Sequence, residues 1–311
     1  MNIIRSIRSN AGVYGLSRIW FDVTDVSRAP LFFSALGAPF LLRHGQCTVW
    51  TDGDDLPCLN LTEGPEHKLR RLTFTCPPEE LETLRARAAE HGSPVLMDHA
   101  GMLLLVGPDG LEIEIIGHAA PAEGDGGKAL ILPRAPLHGE AVTPPPIRLA
   151  HAAIFVTALG QALEFYRDVL GLRLSDRCGD DLAFLHGPHG GDHHVLALVA
   201  SSASGLHHYS FEMGTIDAIE MRAAHMAEQG FAAGWGLGRH VLGSNFFHYV
   251  RDPWGTHAEL TAGLEYIPAD ADWVARDHKA EDAFYLWGPP PPAGFIDNIE
   301  AKAAERPSVA A

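Results

Sequence analysis

Short apolar segments broken by turn-forming residues run through the first 260 residues, and only a few stretches between them carry the spacing of an amphipathic helix. Residues 17–23 predict a strand, 26–36 a helix, and 40–42, 48–50 and 58–61 three short strands. This β-α-β-β-β order then recurs. A strand over 69–75 leads to a helix opened by Pro77-Pro78-Glu79-Glu80, running to about Glu90 and stopped by Gly92, with strands at 95–96, 102–106 and 111–116. Beyond a Gly/Pro-rich stretch, 119–146, the order returns with a strand at 149–156, a helix at 159–170 and strands at 172–174, 182–186 and 195–199. The fourth unit runs from His207 to Leu260, and its helix, Ile216 to Gln229, turns Ile219, Ala223, Met226 and Ala227 to one face. Within it, the apolar segments of Gly238 to Leu260 flank a Pro253-Trp254-Gly255 turn and read as a β-hairpin. The pattern predicts an α+β protein of two domains, 1–118 and 147–263, each of two β-α-β-β-β modules. Residues 119–146 form the linker, and 264–311 form an extension beyond the repeat.

Superposing the two halves brings out the chemistry. Leu16 to Val23 lies over Leu149 to Val156, which sets Arg18 on His151. Leu69 to Phe74 lies over Leu206 to Phe211, which sets Arg71 on His208. Gly107 to Glu114 lies over Arg251 to Glu259, which sets Glu114 on Glu259. Guanidiniums stay protonated and cannot ligate a metal, but they can ion-pair with a carboxylate. The first half is therefore expected to be salt-bridged and metal-free. In the second, two histidines and a carboxylate from three strands form the facial set that holds Fe(II) with coordination positions open. His207 and His208 differ by one residue and should point to opposite faces of their strand, and the superposition selects His208.

Composition narrows the rest. A formal net charge of −16, with no Lys/Arg run, argues against a nucleic-acid or anionic-membrane partner. No apolar run approaches the roughly 18 residues of a membrane span, and Met1 to Arg5 lacks a signal-peptide core. The four cysteines form no CxxC pair, so reduced thiols and a cytoplasmic location are expected. No dinucleotide fingerprint, phosphate loop or nucleophile elbow is present, so no organic cofactor is expected. Eighteen histidines is a high count, and their clustering after residue 185 points to metal or proton-transfer chemistry.

With these residues in place the chain, from about residue 10 to 296, resembles the two-domain type I extradiol ring-cleaving dioxygenases of the vicinal oxygen chelate superfamily. The resemblance rests on the His151, His208, Glu259 set, the His193-His194 pair before an apolar strand, Gly238-Arg239-His240, Tyr249, and the Asp252-Pro253-Trp254-Gly255 turn. It implies curved, partly closed mixed sheets, a metal-free N-terminal domain, and Fe(II), or alternatively Mn(II), in the C-terminal one. It also implies meta cleavage of a catechol with O2 in aromatic degradation, giving a semialdehyde or related ring-opened acid. His194 would be acid and base, with His240 and Tyr249 hydrogen-bonding the catechol oxygens. Trp235, Asn245 and Phe247 are candidate substrate contacts, and homo-oligomers are expected. His189 and His193, in a Gly-rich segment, read as solvent histidines, and His248 and His257 as lying outside the set. The aromatic and proline-rich extension is either a lid or a tail packed on its neighbour, with disorder expected from Ala301 onward. Two rival readings remain: another metalloenzyme of the superfamily, such as a glyoxalase or epimerase, or a non-catalytic ligand-sequestering protein.

Overall fold

The computed structural model describes residues 10–52, 55–120 and 142–304, so most of the linker over 119–146 lies outside the described residues. The first half contains strand β1 (Gly15–Val23), helix α1 (Ala29–Leu36), then β2 (Phe40–Arg43), β3 (Gln46–Val49) and β4 (Leu59–Glu63). Its second module is β5 (Lys68–Cys76), α2 (Leu81–His91), β6 (Val95–His99), β7 (Met102–Val106) and β8 (Glu112–Gly117). The second half repeats the plan with β9 (Arg148–Val156), α3 (Leu159–Asp168), β10 (Arg173–Cys178), β11 (Leu182–His186), a two-residue β12 (Gly191–Asp192) and β13 (Leu196–Ala200). Its last module is β14 (Gly205–Glu212), α4 (Ile216–Glu228), β15 (Gly234–Arg239), β16 (Phe246–Arg251) and β17 (His257–Ala262). The extension adds β18 (Tyr266–Ile267), β19 (Arg276–Asp277), α5 (Ala280–Ala283) and α6 (Ile299–Ala304). The helix α6 replaces the disorder expected from Ala301, for the residues up to Ala304.

Each half forms one mixed sheet with its two modules back to back. The order is β2-β3-β4-β1-β5-β8-β7-β6 in the first and β15-β16-β17-β14-β9-β13-β11-β10-β19 in the second. The central pair is antiparallel in both, β1 with β5 and β9 with β14, and each of these strands pairs parallel with the last strand of a module. Both strands of each central pair are bulged. The pairing skips Ser17 and Arg70 in the first sheet and the matching Ala150 and His207 in the second. A bulge adds one residue, bends the strand and re-aims its side chains.

One apolar core runs across both sheets, with Phe21, Phe74, Tyr166, Tyr209 and Phe211 among its fully buried members. Polar anchors add to the contact between the halves. The Arg222 guanidinium donates to the carbonyls of Ala35, Thr143 and Pro144, and the Trp254 indole donates to that of Asp25. The Glu300 carboxylate of α6 accepts from the backbone N–H groups of Leu69 and Leu206, one in each sheet. No helix among the described residues is long and apolar enough to cross a membrane.

Candidate metal centre and pocket

His151 comes from β9, His208 from β14 and Glu259 from β17, three strands side by side in the second sheet, with Ser210 opposite both His151 and Glu259. Their donor atoms lie within 4.8 Å of one another, and all three residues are buried. Glu259 Oε2 is 2.8 Å from His151 Nε2 and 3.6 Å from His208 Nε2. His208 Nε2 is shut away from solvent with no hydrogen-bond partner among the described residues, and the equally buried Glu259 Oε2 is approached by His151 Nε2 at 2.8 Å. Buried polar atoms normally find partners, so a bare imidazole nitrogen facing a buried carboxylate oxygen that a second imidazole also approaches is an arrangement that a bound cation would satisfy. The donor set of two imidazoles and one carboxylate suits a divalent transition metal.

The protonation pattern fits as well. His207 Nε2 lies 2.9 Å from the Phe295 carbonyl and must donate to it, so in the neutral ring Nδ1 is an acceptor. His208 Nδ1, 2.7 Å from His207 Nδ1, must then carry the proton, and Nε2 of His208 is left with its lone pair facing Glu259. A carbonyl acceptor behind a ligating imidazole commonly fixes such a tautomer. The two rings lie side by side, with centroids 5.0 Å apart. The expectation of opposite faces is therefore overturned, because the bulge at His207 breaks the alternation on which it was based.

Around these three stand His194, His240 and Tyr249. His194 packs on His151 with ring centroids 4.3 Å apart. Its pKa is pushed well below the ordinary histidine value by burial and by the neighbouring His151, His193 and His240, so it is neutral near pH 7. His240 donates from Nδ1 to the Phe284 carbonyl at 2.8 Å, which leaves Nε2 to accept from the Tyr249 hydroxyl at 3.0 Å. Burial, and then the Glu259 charge, hold the Tyr249 phenol well above its usual range, so it keeps its proton. Glu259 itself titrates below the usual carboxylate value. Burial alone would raise it, but His151 and His240 outweigh that.

The three candidate substrate contacts sit differently. Asn245 turns its amide onto Glu259 Oε1, at 3.3 Å, and onto the Thr261 hydroxyl, at 2.8 Å. Phe247 stacks on His240 at 4.1 Å, and Trp235 stacks on Tyr249 at 5.7 Å while donating to the Pro289 carbonyl. Both rings are buried and brace the two hydrogen-bonding groups.

In the first half the same registers hold other chemistry. Thr73 stands opposite Arg18 and Glu114, as Ser210 stands opposite His151 and Glu259. Arg71 pairs with Glu114 at 3.3 Å and Glu112 at 2.7 Å, while Arg18 donates to the Pro57 carbonyl.

A model of the glyoxalase/bleomycin resistance protein/dioxygenase superfamily matches residues 148–260, the segment that carries all three candidate ligands. Over 305 residues the chain is 36% identical to metapyrocatechase 2 of Cupriavidus necator, covering 94% of this chain and 95% of that relative. It is 28% identical over 153 residues to an iron-dependent extradiol dioxygenase of Rhodococcus jostii, covering 45% and 50% of the two chains. A structure of homoprotocatechuate 2,3-dioxygenase from Brevibacterium fuscum superposes with a TM-score of 0.75 at 19% identity, over 92% of this chain and 81% of the other, and shows the shared fold. The chain belongs to this superfamily, among its extradiol dioxygenases. Membership accounts for the paired modules.

Four further histidines and the extension complete the surroundings of the site, and two of the histidines are less exposed than expected. His193 is fully buried rather than solvent-exposed, with Nε2 3.0 Å from Asp176 Oδ2 and Nδ1 3.2 Å from His194 Nδ1. The loop that holds it is pinned by the bond from the His193 N–H to the Glu265 carbonyl, which draws the ring inward. His189 is half-buried, and its Nε2 lies 3.0 Å from the Gly12 carbonyl and 3.1 Å from Glu80 Oε2 in the first half. His248 faces Glu220 of α4 at 3.5 Å, away from the set. His257 is buried against Phe295 and His207. The extension supplies Phe284 O, Phe295 O, Pro289 O and the Phe295 ring, and so forms part of the wall around the site.

Proposed function

We propose that this protein is an extradiol dioxygenase that opens a catecholic ring beside its diol with both atoms of O2, using Fe(II), or Mn(II) in its place, held by His151, His208 and Glu259. The observation that carries the reading is the buried, unpartnered His208 Nε2 facing the buried Glu259 Oε2 at 3.6 Å, with His151 Nε2 converging on the same oxygen at 2.8 Å. The ion, when bound, supplies a Lewis acid for the diol and an electron path between ring and O2.

The remaining work falls to side chains. The Tyr249 hydroxyl, held protonated, and His240 present a donor and an acceptor 3.0 Å apart, which suits the two oxygens of a half-ionised diol. His194, neutral in its buried position, takes up a proton from the substrate and later returns it. Trp235, Phe247 and Phe295 pack around His240 and Tyr249 and keep water from the hydrogen bonds. Three of the His240, His207 and Trp235 hydrogen bonds end on carbonyls of the extension, which supports a tail built into the pocket wall over a swinging lid. Assembly into homo-oligomers fits the edge strand β6, where Val95, Leu96 and Met97 are exposed side by side.

The test is anaerobic loading with Fe(II), followed by a panel of catechols with O2 uptake and the coloured ring-fission product recorded. Oxygen consumed one-to-one with catechol supports the reading. Bound iron with no turnover across the panel overturns the reaction.

A further inference from the structure

Asp176 lies on β10, outside the three ligands and the residues around the diol, yet it ends a chain of contacts that leads to His194. Its Oδ2 is 3.0 Å from His193 Nε2, and His193 Nδ1 is 3.2 Å from His194 Nδ1. Its other oxygen, Oδ1, accepts the Arg276 backbone N–H at 2.9 Å and His278 Nε2 at 3.1 Å. His193 is held further by the Ser175 hydroxyl on its carbonyl, by Trp273 edge-on at 5.8 Å and by Phe184 at 5.9 Å. Asp176, His193 and His194 are all buried.

Donor and acceptor bookkeeping fixes the protons. A carboxylate only accepts, so His193 Nε2 carries a hydrogen and, in the neutral ring, Nδ1 does not. His194 Nδ1 must then be the donor between the two rings, which leaves His194 Nε2, on the far edge of the ring from His193, with its lone pair. The same device stands behind His208, where the Phe295 carbonyl plays the part of Asp176.

We propose that Asp176 is a positioning residue for the reaction: through His193 it sets the tautomer and orientation of His194, so that Nε2 of His194 is the nitrogen that receives the substrate proton. The inference deepens the reading of His194 as acid and base and rests on it. In the step itself the O–H bond of the diol breaks, an N–H bond forms at Nε2, and the oxygen keeps the electron pair. The Nδ1–H bond toward His193 stays intact. The carboxylate two contacts away stabilises the resulting imidazolium, as in other acid–base sites where a buried aspartate backs a histidine. The extension takes part, because both donors to Oδ1 come from its strand β19 and the residue after it.

The decisive variant is Asp176→Asn. Its carbonyl oxygen must remain where the two donors from Arg276 and His278 converge, so its NH2 faces His193 Nε2. That face now donates, which moves the His193 proton to Nδ1 and forces the His194 proton onto Nε2. The nitrogen needed as base is then occupied. Asp176→Ala removes the carboxylate without imposing the wrong tautomer. Steady-state kinetics of the iron enzyme are expected to show kcat down by at least about 100-fold in Asp176→Asn and by less in Asp176→Ala, with iron content and catechol KM unchanged. A purely structural role would give the opposite order, since asparagine preserves shape. In the zinc-loaded, 15N-histidine-labelled full-length protein, NMR is expected to find the His194 proton on Nδ1, and on Nε2 in Asp176→Asn. Wild-type kcat in Asp176→Asn, a milder defect there than in Asp176→Ala, or a wild-type His194 proton on Nε2 each overturn the inference while leaving His194 as acid and base. A His194→Ala enzyme with wild-type kcat overturns that underlying reading instead, whatever tautomers NMR finds.

Discussion

The Nδ1 atoms of His207 and His208 lie 2.7 Å apart, and this contact decides which nitrogen of His208 is free for a metal. Because His207 is anchored by the Phe295 carbonyl, it can only accept from His208, and the His208 ring is held with Nε2 bare. Supporting partners of this kind are worth about 10–100-fold in metal affinity. His207→Ala is therefore expected to weaken metal binding by that order, while Glu259→Ala, which takes a ligand itself, is expected to abolish stoichiometric binding and O2 uptake. Competition against a chelator measures both. Equal affinity in His207→Ala and wild type would show that the pairing plays no part.

Tyr249 and His240 form the other fixed pair, and the Tyr249 hydroxyl is the donor because His240 Nδ1 already serves the Phe284 carbonyl. Tyr249→Phe keeps the stacking with Trp235 and removes only the hydroxyl. Loss of the bond should cost stability about 1 kcal/mol, but the larger effect is expected on turnover, with kcat down by about 100-fold or more if the proton on this oxygen assists the chemistry. A variant with unchanged kcat and a raised catechol KM would assign Tyr249 to uniform binding instead.

The arginine-bearing half yields a control. Glu114 is buried, and its partners are Arg71 at 3.3 Å and the Thr73 hydroxyl at 2.7 Å. Arg71→Met leaves that carboxylate short of a counter-charge and should destabilise the protein by about 1–3 kcal/mol. Iron content and kcat at 25 °C are expected to stay at wild-type levels. A fall in iron bound per chain would mean that the first half takes part in the metal site.

How far the sequence carried can be read from these same residues. The exchange of Arg18 and Arg71 for His151 and His208 was legible because the two halves repeat, and the pairing of Thr73 and Ser210 with equivalent partners shows that registers repeat with them. The placement of His207 was not, since period-two alternation holds only in an unbroken ladder and the bulge inserts a residue there. Asp176 was missed for another reason: its contact with His278 spans 102 residues, and no local pattern encodes it. Phe284 and Phe295 act on the site through main-chain carbonyls, which every residue possesses. The tandem His193-His194, echoing His207-His208, was the one available hint that a histidine could stand behind each working histidine.

Glu212, at the end of β14 and outside the three candidate ligands, gives a pH prediction. Burial raises its pKa from 4.5 to about 7, against the pull of Arg148 at 3.8 Å. The folded chain thus holds this proton up to about pH 7, whereas the unfolded chain releases it near 4.5. A raised folded pKa favours the native state at low pH and loses that advantage as pH climbs through the window, so Glu212 costs stability most above pH 7. In Glu212→Gln the amide oxygen can still accept from the Gly214 N–H, and Arg148 keeps Asp192 at 2.7 Å. The variant is expected to match wild type near pH 4.5 and to gain progressively up to about pH 7, by at most ~3 kcal/mol. Denaturant midpoints measured from pH 5 to 8 check the slope. A variant less stable than wild type at pH 8 would show that pairing with Arg148 outweighs the burial of the charge.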